Sequence, residues 1–496
     1  MTNFISRTRL SEWRRTRFAS LALAVVLSGC AAPDGGERPV LSTPAQLESR
    51  KSLSIGPIAD AWPHDRWWQR YGDAQLNALV DEAVANSPTV AEAAARVRTA
   101  EGLVRRAGAA GSPQFGLAGE GGLKKQSYNN GIPAQFVPKG WKSYGSLALN
   151  GDFDLDLWGR NRAALAAATS DALAAQVDAR QAALALQSNV VETYATLGVL
   201  YLEDDFLVQA VEVREASAAL YAKRYAGGLD SQLPQRQAEA AAAGAAAALE
   251  ANEERIALQR NVLAALLGAG PDRGLAIERP KAVGPFARIP LPADAGIALA
   301  GRRADIVAAR LRVEAQGSRI DEARAAFMPD ISLRGLLGFM SLGIANLFDR
   351  GSDFGQTTGA ISLPIFDGGA LRGNLEQTGG RYDELVAQYD ATVVEALKEV
   401  ADALASRSSV DEQTREAERA ASAAADAYRL ADIRYRGGLT TYLDVLSAQT
   451  AMIDAQRTAL QTRSRLLLTD IQLVRALGGG YADARGDAPV PRGKRP

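Results

Sequence analysis

One cysteine, Cys30, and one histidine, His64, are all that the 496 residues hold of those two types. A lone cysteine cannot close an internal disulfide, and a lone histidine removes the commonest general base and metal ligand. Charge of one sign is missing too. The 56 Lys+Arg against 57 Asp+Glu leave a formal net charge of -1, without the basic excess that binds phosphate backbones, so nucleic acid is not an expected partner. The sequence also lacks a phosphate loop, paired catalytic carboxylates at a definable spacing and a metal-ligand cluster. No enzyme, cofactor or metal is therefore expected, and an enzyme acting on the envelope has no residue constellation behind it. Long hydrophobic runs are scarce: Leu21–Leu27 falls far short of the roughly 20 apolar residues a helix needs to cross about 30 Å of hydrocarbon.

That short run is informative nonetheless. Arg7, Arg9, Arg14, Arg15 and Arg17 precede it and small residues follow, the layout of an export signal. The tetrapeptide Leu27-Ser28-Gly29-Cys30 resembles the bacterial lipobox, which implies cleavage before Cys30 and its acylation. Residues 1–29 then form the signal peptide and 30–60 an acylated N-terminal linker. Ala31 stands where aspartate would retain a lipoprotein in the inner membrane, so the implied address is the outer membrane.

The rest of the chain is duplicated. Arg96-Val97 recurs as Arg312-Val313 and Pro113 as Pro329, at an offset of 216. Further on, Arg224-Tyr225-Ala226-Gly227-Gly228-Leu229 recurs as Arg434-Tyr435-Arg436-Gly437-Gly438-Leu439, and Leu267-Gly268 as Leu477-Gly478, at an offset of 210. Six residues of register are lost between Pro113 and about Gly159, where Gly121–Gly140 reads as a surface loop. The repeats occupy 61–270 and 301–480, joined by a linker at 271–300, with a disordered tail at 481–496.

Each repeat opens on an Ala-rich helix, Leu76–Arg106 in the first copy and Ile306–Ala326 in the second. Strands follow. From Tyr144 to Leu157 the positions Leu147, Leu149, Phe153, Leu155 and Leu157 are apolar, while Ser146, Asn150, Asp152, Asp154 and Asp156 are polar, a period of two. Ile331, Leu333, Leu337 and Phe339 repeat the pattern, Ile361, Leu363 and Ile365 belong to a third strand, and Phe115 and Leu117 to a fourth. A lipid-facing barrel has such faces, though a half-buried soluble sheet does too. Proline-free stretches from Gly159 to Gly227-Gly228 and from Leu371 to Gly437-Gly438 predict helices of roughly 65 residues, about 100 Å each. The glycine pairs suit helix C-caps, and Asp230 or Ser231 and Thr440 or Thr441 suit N-caps of returning helices. The fold class is an α+β membrane protein: four strands contributed to a shared transmembrane β-barrel, and long helical hairpins forming a coiled-coil barrel, in two structural repeats. Four strands cannot close a barrel, and open edges cannot sit in lipid, so several copies must unite.

The lipobox; Trp67-Trp68 with Asp73 and Leu76; Phe153-Asp154-Leu155-Asp156-Leu157-Trp158-Gly159-Arg160; Arg302-Arg303-Ala304-Asp305-Ile306; Pro364-Ile365-Phe366-Asp367-Gly368-Gly369; and Leu477-Gly478-Gly479-Gly480 together resemble the NodT- or OprM-type lipoprotein branch of the TolC-like outer-membrane factors. Ala304, where proline is usual, and Phe153, where tryptophan is common, depart from that pattern. The resemblance implies a passive export duct for small molecules such as drugs: a homotrimer in outer-membrane lipid with its helical barrel in the periplasm. Its implied partners are a periplasmic adaptor and an inner-membrane pump, commonly of the resistance-nodulation-division type. Competing readings are a periplasmic helical-hairpin adaptor or scaffold and the duct of a type I protein secretion system.

The resemblance also implies site residues. Arg224, Gly227, Gly228 and Leu229, with Arg434, Gly437, Gly438 and Leu439, match the tips where adaptor hairpins dock, although the glycines also serve as helix caps. Tyr442, Leu443 and Asp444 match the region that narrows the tunnel entrance; Asp444 would form a ring of like charge there, unless it is a solvated surface aspartate. Asp152, Asp154 and Asp156 are candidates to line the barrel lumen or to hold the barrel-to-helix junction. Trp158 and Phe366 suit an interfacial aromatic belt, His64 a plain surface role, and Arg302, Arg303 and Asp305 helix-start salt bridging.

Overall fold

The computed structural model describes residues 38–43, 46–53, 58–59, 62–281, 291–292 and 295–483. Cys30, the export signal and all but three residues of the expected tail lie outside that set. The chain divides into two compact units. One holds Arg98–Ala174 and Arg310–Ala387 with the stretch up to Val40; the other holds Leu41–Val97, Ala175–Ala309 and Gln388–Pro496.

The first repeat runs α1 (Ala74–Asn86), α2 (Pro88–Ala110), β1 (Gln114–Lys124), β2 (Lys142–Asp154), α3 (Arg160–Ala226) and α4 (Gln232–Leu266). After a short helix, Ala295–Arg302, the second repeats the order: α5 (Ala304–Ala325), β3 (Asp330–Leu342), β4 (Asp353–Ser362), α6 (Ala370–Arg436) and α7 (Tyr442–Ala476). Among the described residues no helix is long and apolar enough to cross a membrane.

The single helix expected over Leu76–Arg106 is broken between Asn86 and Pro88. Ser87 takes extended angles, φ -65 and ψ 126, as the residue before a proline does. The second repeat breaks at the corresponding place, before Ala304, without a proline. Both helix ends abut a glycine turn: a Cβ at Gly268 would stand 2.6 Å from the Asn86 carbonyl oxygen, and one at Gly478 2.0 Å from that of Arg302. At offsets of 216 and 210 these are the same junction in each repeat. Around it, Trp68, Leu79, Val80, Leu197, Leu263, Leu267, Ile471 and Val474 form a buried core, each large aliphatic side chain worth about 1.5–3 kcal/mol.

In the other unit the four strands form one antiparallel sheet in the order β1-β2-β3-β4. Its register places Phe115, Leu117, Leu147, Leu149, Phe153, Leu333, Leu337 and Phe339 on one face. Glu120, Asn150, Asp152, Asp154, Arg334, Gln356 and Thr358 lie on the other. Three boundaries differ from the sequence reading. Gly121–Lys124 belong to β1 and not to the loop, because Gly122 lies under the Tyr144 ring, where an aromatic covers the missing side chain. The loop is 125–141. Strand β2 stops at Asp154, since Asp156 turns the chain with φ 40; Leu157 lies outside the strand, while Leu155 N–H still donates to the Ile331 carbonyl at 3.0 Å. Leu363 and Ile365 fall beyond the end of β4.

Candidate functional site at the helix-turn-helix tips

The two tips are built by the same local rule. After α3, Gly228 takes φ 70, Leu229 N–H donates to Arg224 O at 2.9 Å and Gly228 N–H to Tyr225 O at 3.0 Å. After α6, Gly438 takes φ 73, Leu439 N–H donates to Arg434 O at 2.9 Å and Gly438 N–H to Tyr435 O at 2.9 Å. This pair of bonds is the Schellman cap, which closes a helix on a left-handed glycine and directs the next residue outward. Leu229 and Leu439 are accordingly exposed, as is Leu443. The glycines expected as caps are caps.

Sequence reading did not anticipate that the tips are joined to one another. Tyr221 of α3 packs on Tyr442 of α7 with ring centroids 3.9 Å apart and on Tyr435 of α6 at 5.7 Å. Tyr221, Ala238, Tyr442 and Val445 form a small buried core. Polar links surround it. Arg224 Nε donates to Asp230 Oδ2 at 2.6 Å, the Tyr435 hydroxyl donates to the same oxygen at 3.0 Å, and the Arg224 guanidinium sits 5.2 Å over the Tyr435 ring. The Arg224 hydrogen bond holds the Asp230 carboxyl below its usual range. Further along, buried Arg214 donates to Gln449 Oε1 at 2.6 Å and to Thr450 Oγ1 at 2.8 Å, and Gln449 donates to Ser217 at 3.3 Å. Burial lowers the pKa of Arg214. Asp230 was legible only as a candidate N-cap, a position that Ser231 occupies without a side-chain capping bond. No sequence spacing could have paired it with Tyr435, 205 positions away.

The expected entrance residues separate by environment. Tyr442 is buried between the hairpins, whereas Leu443 and Asp444 are exposed. Asp444 also completes a capping box: its carboxylate accepts from the Thr440 hydroxyl and from the Thr441 N–H at 3.0 Å and hydroxyl at 2.8 Å. The Thr440 hydroxyl, then those Thr441 donors, lower its pKa. Its charge is therefore held in place at the start of α7.

Of the three strand aspartates, Asp152 faces Arg334 across the β2–β3 pair, Nε to Oδ1 3.3 Å, and Asp154 ends the strand. Asp156 lies past the strand, where it accepts from the Asn161 and Arg162 N–H groups at 2.9 and 3.0 Å and starts α3. Trp158 donates its indole N–H to Pro329 O at 2.8 Å, and Phe366 is exposed. In the second unit Arg303 is buried and donates to Asp305, to Glu399 at 2.5 Å and to the Ala476 carbonyl at 3.0 Å, the salt bridging expected of it. Asp73 caps α1 and accepts from the Tyr194 hydroxyl at 2.8 Å.

A sheet with one greasy face, one wet face and two open edges, in a chain that also carries two long helical hairpins, defines one subunit of an outer-membrane channel. The comparisons agree on the class. The family model described as "Outer membrane efflux protein" matches residues 79–269 and 298–479, and the chain belongs to that family. It is 29% identical over 472 residues to the multidrug resistance outer membrane protein MdtP of Escherichia coli (strain K12), covering 93% of this chain and 95% of that one. It is 30% identical over 468 residues to the outer membrane protein OprJ of Pseudomonas aeruginosa, covering 94% and 96%. Among solved structures, the outer membrane protein VceC of Vibrio cholerae is similar with a TM-score of 0.80 at 42% identity, over 85% of this chain and 100% of that one. Membership carries the class with it: a TolC-like, non-enzymatic efflux channel of the outer membrane with a periplasmic helical barrel, trimeric and working with an adaptor and an inner-membrane pump.

Proposed function

We propose that this chain forms the exit duct of a tripartite system that expels small molecules such as drugs, driven by an inner-membrane pump of the resistance-nodulation-division type. The observation that carries the reading is the sheet, whose apolar face suits lipid and whose Asp152, Asn150 and Gln356 face suits a wet lumen. Similarity to proteins named for multidrug resistance supports the small-molecule cargo. In this proposal Cys30 carries the acyl anchor, 61–270 and 301–480 are the two repeats, and the tips from Arg224 to Leu229 and Arg434 to Leu439 receive the adaptor. Exposed Leu229 and Leu439 offer it apolar anchors over bare glycine backbone. The Asp230–Tyr435 link and the Tyr221–Tyr442 contact hold the hairpins together, with Leu443 and Asp444 at the entrance. Deleting the gene should raise intracellular accumulation of a fluorescent pump substrate several-fold, with recovery on complementation. Unchanged accumulation in a strain lacking every other duct overturns the efflux reading, and loss of a secreted protein instead would point to protein export.

A further inference from the structure

The two β-hairpins differ in charge at the end remote from the helices. Helix α2 leads into β1 at Gln114 and β2 leads out to α3 after Asp154, so the end that carries Lys124 and Lys142 lies about 34 Å further along the strands, at about 3.4 Å per residue. In an outer-membrane duct with its helices in the periplasm, that end is the outer mouth. Lys124 and Lys142 stand directly opposite one another in the β1–β2 register. Like charges at facing positions repel and destabilise a strand pair. The fold does not require them. The offsets of 216 and 210 carry the pair onto Met340 and Ser352 of the second hairpin, where Met340 N–H donates to Ser352 O at 2.8 Å. The same place in the architecture is neutral in one repeat and doubly cationic in the other.

Lys125 and Lys139 in the adjoining loop add two more ammonium groups; all four are exposed, and residues 121–151 contain no Asp or Glu. Among the described residues no ion pair involves any of the four. Glu120, on the same face as the pair, is engaged by the Tyr144 hydroxyl, which donates to it. Asp353 lies opposite Phe339 and so on the apolar face, and Asp349 is followed by Arg350. The loop is held in place, since Gly140 N–H donates to Tyr128 Oη at 3.0 Å and Val137 is buried. Lys139 therefore stays near the strand end. Lys124 and Lys142 occupy even positions, as do Asn150, Asp152 and Asp154, which puts them on the wet face.

We propose that the outer mouth of the duct binds multivalent oxyanions of the phosphate type between Lys124 and Lys142, with Lys125 and Lys139 as flanking donors. An ammonium is a compact charge with three donors, which suits a phosphate oxygen without demanding a planar match. A bound oxyanion turns the mutual repulsion of the two lysines into attraction to a shared counter-charge. Repetition around the trimer sets the pairs in a ring, and rings of lysine or arginine are how pores hold anions. Anionic solutes are then concentrated at the exit, and cations outside are repelled from it. The inference rests on the duct reading, which makes the even-numbered face a lumen, and adds a charge filter at its far end.

Full-length trimer inserted into a planar bilayer of neutral lipid from one chamber leaves its helices there, since no described helix is apolar enough to cross, and turns its mouth to the other chamber. Inorganic tripolyphosphate added to that second chamber should block the current at low salt, and the block should weaken as salt rises. Lys124→Gln with Lys142→Gln should raise the half-blocking concentration about tenfold or more, while Lys124→Arg with Lys142→Arg should keep it within about twofold. A block unaffected by the glutamines, a block from the helix side alone, or no block of a conducting native channel overturns the proposal and leaves the duct standing. Should the strand variants not assemble, Lys125→Gln with Lys139→Gln, confined to the loop, is expected to weaken the block about threefold, and an unchanged block overturns the proposal. If the strand glutamines leave the block alone and strip anionic lipid from the purified protein, the lysines face the bilayer, which also overturns it. A native chain that conducts no current brings down the duct reading as well.

Discussion

Asp230 concentrates the chemistry of the tip, since one carboxylate oxygen accepts from both Arg224 and Tyr435. Its pKa is lowered in the folded state, so its stabilising contribution is present above the unfolded value of about 4 and is lost as pH falls through the lower folded value. The hairpin link should therefore be indifferent to pH between 5 and 8 (about the physiological span) and loosen only below about pH 4. Asp230→Asn should raise single-channel conductance at pH 7, as acidification below about pH 4 should in the native protein; equal conductance for variant and wild type would dismiss the link. Glycines can be ranked by what surrounds them. Gly228→Ala meets open space and the strain of a left-handed residue, costing about 1–2 kcal/mol. Gly478→Ala drives a Cβ into the Arg302 carbonyl and should cost about 3–5 kcal/mol, read as a much lower melting temperature. The glycine pairs were legible as helix ends. That Gly268 and Gly478 also seat a neighbouring helix end was not, because close approach is a property of two segments.

Among the elements, the hairpins are held to each other by a buried carboxylate. Glu203 of α3 accepts from Arg255 of α4 at 3.2 Å and from Arg457 of α7 at 2.6 Å, and its side chain is 4% exposed. Glu203→Ala leaves two half-exposed arginines facing each other and should cost about 1–3 kcal/mol, measured as loss of helical signal on heating. Glu416→Ala removes a partner from an exposed i,i+3 pair and should cost less than about 0.5 kcal/mol; equal costs would deny Glu203 its linking role. Helix extents were readable because proline-free, Ala-rich runs have few alternatives. Strand ends were not: Gly121–Lys124 look like loop by composition and are strand because Tyr144 covers Gly122.

At the scale of the whole channel, each subunit presents one Asp444, ionised and fixed by its capping box. Several copies around an entrance would make a ring of negative charge that favours cations. Asp444→Asn keeps the acceptor oxygen for the cap and removes the charge, so it should reduce cation preference in planar bilayers with little effect on stability. An unchanged reversal potential would take Asp444 out of the entrance. In the first repeat the offset of 210 puts the uncharged Pro234 at this place, so the two halves of each subunit differ in charge at this level.

The sequence alone determined the twofold repeat, the alternating strands, the long hairpins and the need for several copies, because periodicity and chain length are local properties that four strands cannot reconcile with a closed barrel. Only the tertiary structure decided which side chains meet across the hairpins. Tyr221 with Tyr442, Asp230 with Tyr435 and Glu203 with Arg457 are joined by packing between segments more than 200 positions apart. Contacts at that separation leave no periodic trace, since each partner satisfies its own helix equally well with or without the other.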